Sequence, residues 1–145
     1  MFKKLLLMGM CLIGLPAMAT MEGGTVITAR SSTEAGCSAT RCNGRKFYVS
    51  NEGMTWWTTF TWCQSNGLEP ATFAEACPPG NPVAYRGENS CPNLKDLLSW
   101  DTWTADSYPS NKASAYCLYN GDFFGHTYSK ETKRKALCIM PETTE

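Results

Sequence analysis

The sequence predicts an α+β fold: two helices packed on a small antiparallel sheet and stapled by disulfides. Three observations carry the class. Residues 54–67 (MTWWTTFTWCQSNG) are apolar, uncharged and of helical period. The pattern beyond residue 100 changes to period 2 with turn formers between runs. Helical runs followed by strand runs indicate segregated α and β layers rather than alternating βαβ units. Seven cysteines lie beyond residue 19, behind an N-terminus that reads as an export signal.

That signal comes first in the chain. Lys3 and Lys4 precede an apolar run over residues 5–15, and Pro16-Ala17-Met18-Ala19 ends in the small-x-small pattern that signal peptidases cut. The apolar run is far shorter than the roughly 20 residues a spanning helix needs. Met8-Gly9-Met10 before Cys11 is a poor lipobox, so cleavage is expected after Ala19. The expectation is an exported protein, periplasmic, cell-surface or secreted, and not membrane-spanning. Beyond residue 19, 11 basic side chains face 13 acidic ones. This balance gives no electrostatic case for nucleic acid or for an anionic membrane.

Cys37, Cys42, Cys63, Cys77, Cys91, Cys117 and Cys138 remain in the exported portion. In an oxidising compartment they read as disulfides rather than metal ligands. No CxxC pair occurs and His126 is the only histidine, so zinc has little support and no cofactor is expected. An odd count leaves one thiol over.

Residues 20–45 are polar and weakly patterned apart from Val26-Ile27, and are taken as an N-terminal extension. Cys37 and Cys42, flanked by Gly36 and Asn43-Gly44, suggest a small stapled loop there. The main domain covers 46–141. Residues 46–50 (KFYVS) form a strand, and Asn51-Glu52-Gly53 turns into the first helix. Trp56, Phe60 and Cys63 recur at i, i+4, i+7, one buried helix face, and Asn66-Gly67 supplies the stop. Thr, Trp and Phe prefer strands, so burial has to override propensity here.

Residues 71–76 make one or two helical turns before Pro78-Pro79-Gly80. Cys77 and Cys91 bracket an irregular segment and suit a local bridge. Asn93 then caps a second helix, with Leu94, Leu97 and Leu98 on one face. Residues 101–108 read as a strand. In 113–119, Ala113, Ala115, Cys117 and Tyr119 share a face. Asn120-Gly121 signals a two-residue hairpin turn, with 122–128 as the returning strand. Residues 135–140 form the last strand, with Leu137 and Ile139 on one face, and 142–145 a tail.

This order resembles the C-type lectin-like fold. The residues carrying the likeness are Met54-Thr55-Trp56, Trp62-Cys63 and Asn66-Gly67-Leu68 around the first helix. Trp103-Thr104-Ala105-Asp106 and Ala136-Leu137-Cys138-Ile139 carry it in the sheet. The resemblance implies a bridge between Cys63 and Cys138. With Cys37–Cys42 and Cys77–Cys91 as local pairs, Cys117 is left free. Calcium-dependent sugar binders of that family carry an E-P-N-type motif in a long loop and a W-N-D motif on a strand, and neither occurs here. The implied function is therefore binding of a glycan or protein surface without calcium.

The resemblance places the ligand face at residues 100–108 and 119–128. Trp100, Trp103, Asp106, Phe123, Phe124 and His126 are its candidate partner-binding residues, set against the plainer reading of hairpin aromatics covering a core edge. A nucleophilic pair of Cys117 and His126 can be drawn on paper. So can a carboxylate pair among Asp96, Asp101 and Asp106. Neither has a spacing that enforces its geometry, so no enzyme is expected. The competing function is a structural or assembly subunit of the cell envelope.

Overall fold

The structure, a computed structural model, describes residues 22–80, 91–98, 100–108, 114–118 and 125–141. The expected export signal, the segment 81–90, residues 119–124 and the tail 142–145 lie outside the described residues. The strands are β1 (Gly24–Thr28), β2 (Lys46–Met54), β3 (Glu69–Pro70), β4 (Thr102–Ser107), β5 (Ser114–Leu118), β6 (Gly125–Ser129) and β7 (Arg134–Ile139). The helices are α1 (Trp56–Ser65) and α2 (Phe73–Ala76). The class is α+β, as the period change indicates.

The sheet differs from the small antiparallel one expected. It has seven strands in the order β1-β2-β7-β4-β5-β6, with β3 pairing β7. It is mixed, because β7 enters between β2 and β4, antiparallel to the first and parallel to the second. Residues 24–28, expected within an extension, form the edge strand β1 and pair with β2 along their whole length. Asn51-Glu52-Gly53 does not end β2. The strand absorbs these turn formers in a register shift between Val49 and Gly53 and runs on to Met54.

Helix α1 starts where Thr55 accepts the Thr58 N–H on its side chain. It stops at Gly67, φ +70°, where the Gly67 N–H bonds the Gln64 carbonyl at 3.0 Å and the Leu68 N–H bonds that of Cys63 at 2.9 Å. Those two bonds are a Schellman motif, open to Gly because φ is positive. The buried face is Trp56, Thr59 and Cys63, with Phe60 half-buried.

The second helix expected after Asn93 is absent. Residues 92–97 form turns, and Asp96 has φ +63°, which no α-helix accommodates. Asn93 is fully buried and joins distant segments rather than capping a helix. Its carbonyl accepts the Arg30 N–H, its side-chain oxygen accepts the Asn43 N–H at 2.9 Å, and its amide donates to the Ala76 carbonyl at 3.0 Å. The leucines still face inward: Leu94 and Leu98 are buried and Leu97 partly so. The second helix is instead the four-residue α2, closed by a capping box between Thr72 and Glu75.

Two apolar layers sandwich β7. On one face Leu137 and Ile139 pack with Phe47, Phe73, Ala76, Leu94 and Leu98. On the other, Ala136 and Cys138 pack with Cys63 and Leu68. Both faces are therefore buried, not the Leu137–Ile139 face alone, as befits a central strand. Trp56, Trp103, Ala115 and Cys117 form a third cluster at the α1–β4–β5 junction. The bridges are Cys37–Cys42, Cys63–Cys138 and Cys77–Cys91, and Cys117 is free and buried.

Across β5 and β6, Leu118 pairs with Gly125 and Cys117 with His126. A two-residue turn at Asn120-Gly121 would pair Leu118 with Phe123 instead. The observed register is two residues further on, which preserves the alternation of faces while changing the partners.

Candidate functional site

A semi-open cavity of about 140 Å³ lies where β1, β2 and β7 meet the 94–98 segment. Thr25, Ile27, Val49, Asn51, Leu98 and Lys135 are among its lining residues. Strand alternation explains the lining: Thr25 pairs with Val49 and Ile27 with Phe47, so apolar side chains make the floor. Polar groups sit beside it, with the Thr25 hydroxyl donating to the Asn51 side-chain Oδ1 at 3.4 Å. Among the described residues the lining holds one cation, Lys135, and no carboxylate.

Trp100 is not a lining residue, but the ammonium of the lining Lys135 lies 5.3 Å from the centre of its ring. At 63 % exposure, Trp100 is the most solvent-exposed of the large apolar side chains described. A cation over an indole is a modest attraction at an exposed site, so Lys135 remains available to a stronger anionic partner.

The other residues expected at a ligand face go elsewhere. Trp103 is fully buried, and its indole N–H donates to the Met54 carbonyl at 3.0 Å. Asp106 accepts the Phe73 N–H at 2.6 Å, at the first residue of α2. Phe123 and Phe124 lie outside the described residues. His126 is placed by its backbone, opposite Cys117. Of those among the six whose side chains are described, Trp100 alone is exposed, and it stands beside the cavity-lining Lys135.

Cys117 is no ready nucleophile. Burial pushes its thiol up to about 12, with the nearby Asp101 charge adding to the rise and Arg134 opposing it by charge and hydrogen bond. The thiolate is the reactive form, so this environment makes the group inert near neutral pH. Arg134 Nε is 3.5 Å from the Asp101 carboxylate, an ion pair by distance though not aligned as a hydrogen bond. The Arg134 guanidinium also lies 4.5 Å from the centre of the Tyr128 ring.

A second aromatic group shows how a similar cation is used for packing. Lys130 is buried, its ammonium 4.2 Å from the Trp56 ring centre and 4.7 Å from that of Trp57. Its carbonyl accepts the Trp56 N–H at 3.0 Å, which ties the β6–β7 turn to the start of α1. Trp57 covers the lysine from the solvent side of Trp56.

Sequence reasoning missed Lys135 and the β1–β2 wall. Lys135 carried a signal, since it precedes Leu137 and Ile139 at strand spacing and so puts a charge on a core stripe. The wall carried almost none, because β1 is short and puts one apolar residue on each face, Val26 and Ile27, with no alternation to mark a core side. Among the described residues no helix is long and apolar enough to cross a membrane, and no group of three or more His, Cys, Asp or Glu is placed to hold a metal. The chain matches no known family model and no curated protein.

Proposed function

We propose that this protein is an exported binding module of C-type lectin-like type that recognises a glycan or a protein surface without calcium. The single observation that carries the reading is Trp100, exposed beside Lys135, which itself lines the cavity. An aromatic face next to a cavity with a few polar groups is what a small-ligand site requires. The cavity is smaller than the roughly 300–1,000 Å³ of drug-sized pockets, which suits one sugar residue or one projecting side chain. The lectin-like part of the reading is supported by the bridge from α1 to β7, which holds the early strand β2 beside the late one. A glycan array with and without chelator tests the function. Binding that survives chelation and disappears in Trp100→Ala is expected, and loss of binding on chelation would refute the calcium-free reading.

A structural or assembly subunit is the second reading, favoured by β1. This edge strand (GTVIT) has no charge and no proline, and Val26 is exposed. Such an edge can add a strand from another chain. Native mass spectrometry separates the two: a concentration-dependent oligomer lost in Val26→Lys supports assembly, and a persistent monomer removes it.

A further inference from the structure

The binding-module reading leaves the ligand class open, and this inference rests on that reading. Lys135 occupies an uncommon register position. It shares a face of β7 with Leu137 and Ile139, both buried under α2 and the 94–98 segment, so a charge terminates a core stripe. Among the described residues no carboxylate pairs with it. Asp101, whose carbonyl accepts the Lys135 N–H at 3.0 Å, directs its carboxylate to Arg134. The neighbour of Lys135 across the parallel β4–β7 pair is Thr102. Its hydroxyl is fully buried and has no hydrogen-bond partner among the described residues. A buried hydroxyl without a partner is uncommon in a folded protein.

We propose that the cavity takes a carboxylate-bearing sugar residue, of the hexuronic or sialic acid class. The apolar face of the sugar ring lies on Trp100, as carbohydrate rings do on indoles. The carboxylate pairs with the Lys135 ammonium, a charge-assisted contact for which no carboxylate among the described residues competes. Thr25 and Asn51 offer hydroxyl and amide groups to the ring hydroxyls. The ammonium thus chooses between sugars that differ only in a carboxylate, while the indole chooses sugars over simple acids.

The test is a titration of isotope-labelled protein followed by NMR, reading the Trp100 indole N–H. Methyl glucuronide, methyl glucoside and acetate serve as probes. The glucuronide is expected to bind at least about tenfold more tightly than the glucoside, a difference of ~1.4 kcal/mol. Lys135→Met should reduce it to the glucoside's affinity, and Lys135→Arg should retain most of it, with both variants showing the native amide spectrum. Equal affinity for the two glycosides would overturn the inference while leaving a binding module in place. Acetate binding as well as the glucuronide would reduce the site to a carboxylate site without sugar recognition, which also overturns it. Neither glycoside moving the Trp100 signal would remove both the inference and this cavity as the module's site.

Discussion

Trp56 and Trp103 clasp each other's backbone. The Trp56 indole N–H donates to the carbonyl of Thr104, next to Trp103, at 2.9 Å. The Trp103 indole N–H donates to the carbonyl of Met54, two residues before Trp56, at 3.0 Å. Each large ring thus fills the junction of α1 and β4 and also satisfies a backbone acceptor there, which aromatic burial needs.

Replacing Trp103 by Ala is expected to cost about 3–5 kcal/mol, the range for deleting a buried aromatic ring. Trp100→Ala, on an exposed side chain, should stay within about 0.5 kcal/mol of the parent. Urea unfolding of both variants checks the contrast. Comparable losses would mean that Trp100 is a packing residue and not a free surface.

Asp106 holds the start of α2 through the Phe73 N–H, from another strand rather than from the chain just before the helix. Asp106→Ala is expected to lose about 1–2 kcal/mol, the scale of a lost cap. Asp106→Asn keeps an acceptor and should lose less. Chemical denaturation measures both, and an unchanged stability in Asp106→Ala would show that the bond contributes nothing net.

The three bridges should rank by the loop they close. Cys63–Cys138 spans a sequence separation of 75, Cys77–Cys91 of 14 and Cys37–Cys42 of 5. The chain-entropy account gives on the order of 4 kcal/mol, 3 kcal/mol and 2 kcal/mol in that order. Paired Cys→Ala variants and their unfolding midpoints test the ranking. Peptide mapping without reductant should return the same three pairs.

Cys117 should impose a pH dependence on stability. Its pKa is raised from 9.0 to about 12, so between those values the native state keeps a proton that the unfolded chain releases. The contribution is therefore complete below pH 9 and is lost as pH rises towards 12. The slope is at most about 1.4 kcal/mol per pH unit. Because lysines and tyrosines titrate in the same range, the measurement is the difference between the parent and Cys117→Ala. At pH 8 alkylation of Cys117 should proceed only as fast as the protein opens, and rapid labelling of the native state would contradict the buried thiol.

Legibility in the sequence followed the range of the interaction. Helix α1 was readable because its buried face and its Gly67 stop lie within a dozen residues. Asn93 was misread because the same amide chemistry that caps a helix can join two loops, and its partners Asn43 and Ala76 are far away in sequence. The turn formers 51–53 pointed to a chain reversal, yet β7 on one side kept β2 extended through a bulge. In 101–108 alternation was visible, but not that Trp103 faces α1 while Asp106 reaches α2. The cavity could not be foreseen, since it exists only once β1 and the 94–98 segment meet around Lys135.

The place of β7 also constrains when the protein can fold. Residues 24–70 can begin the β1–β2 hairpin and α1 locally, but the strand that joins β2, β3 and β4 arrives only with residues 134–139. Contacts of that sequence separation make folding slow, because most of the ordering entropy is lost before they form. Until then Cys63 has no native partner, and Cys77 and Cys91 pass it as competing thiols. For the exported chain proposed above this delay is useful, since it keeps the polypeptide linear during transit. It also makes oxidative folding dependent on disulfide exchange, so that yield should follow the activity of a disulfide isomerase more closely than that of an oxidant.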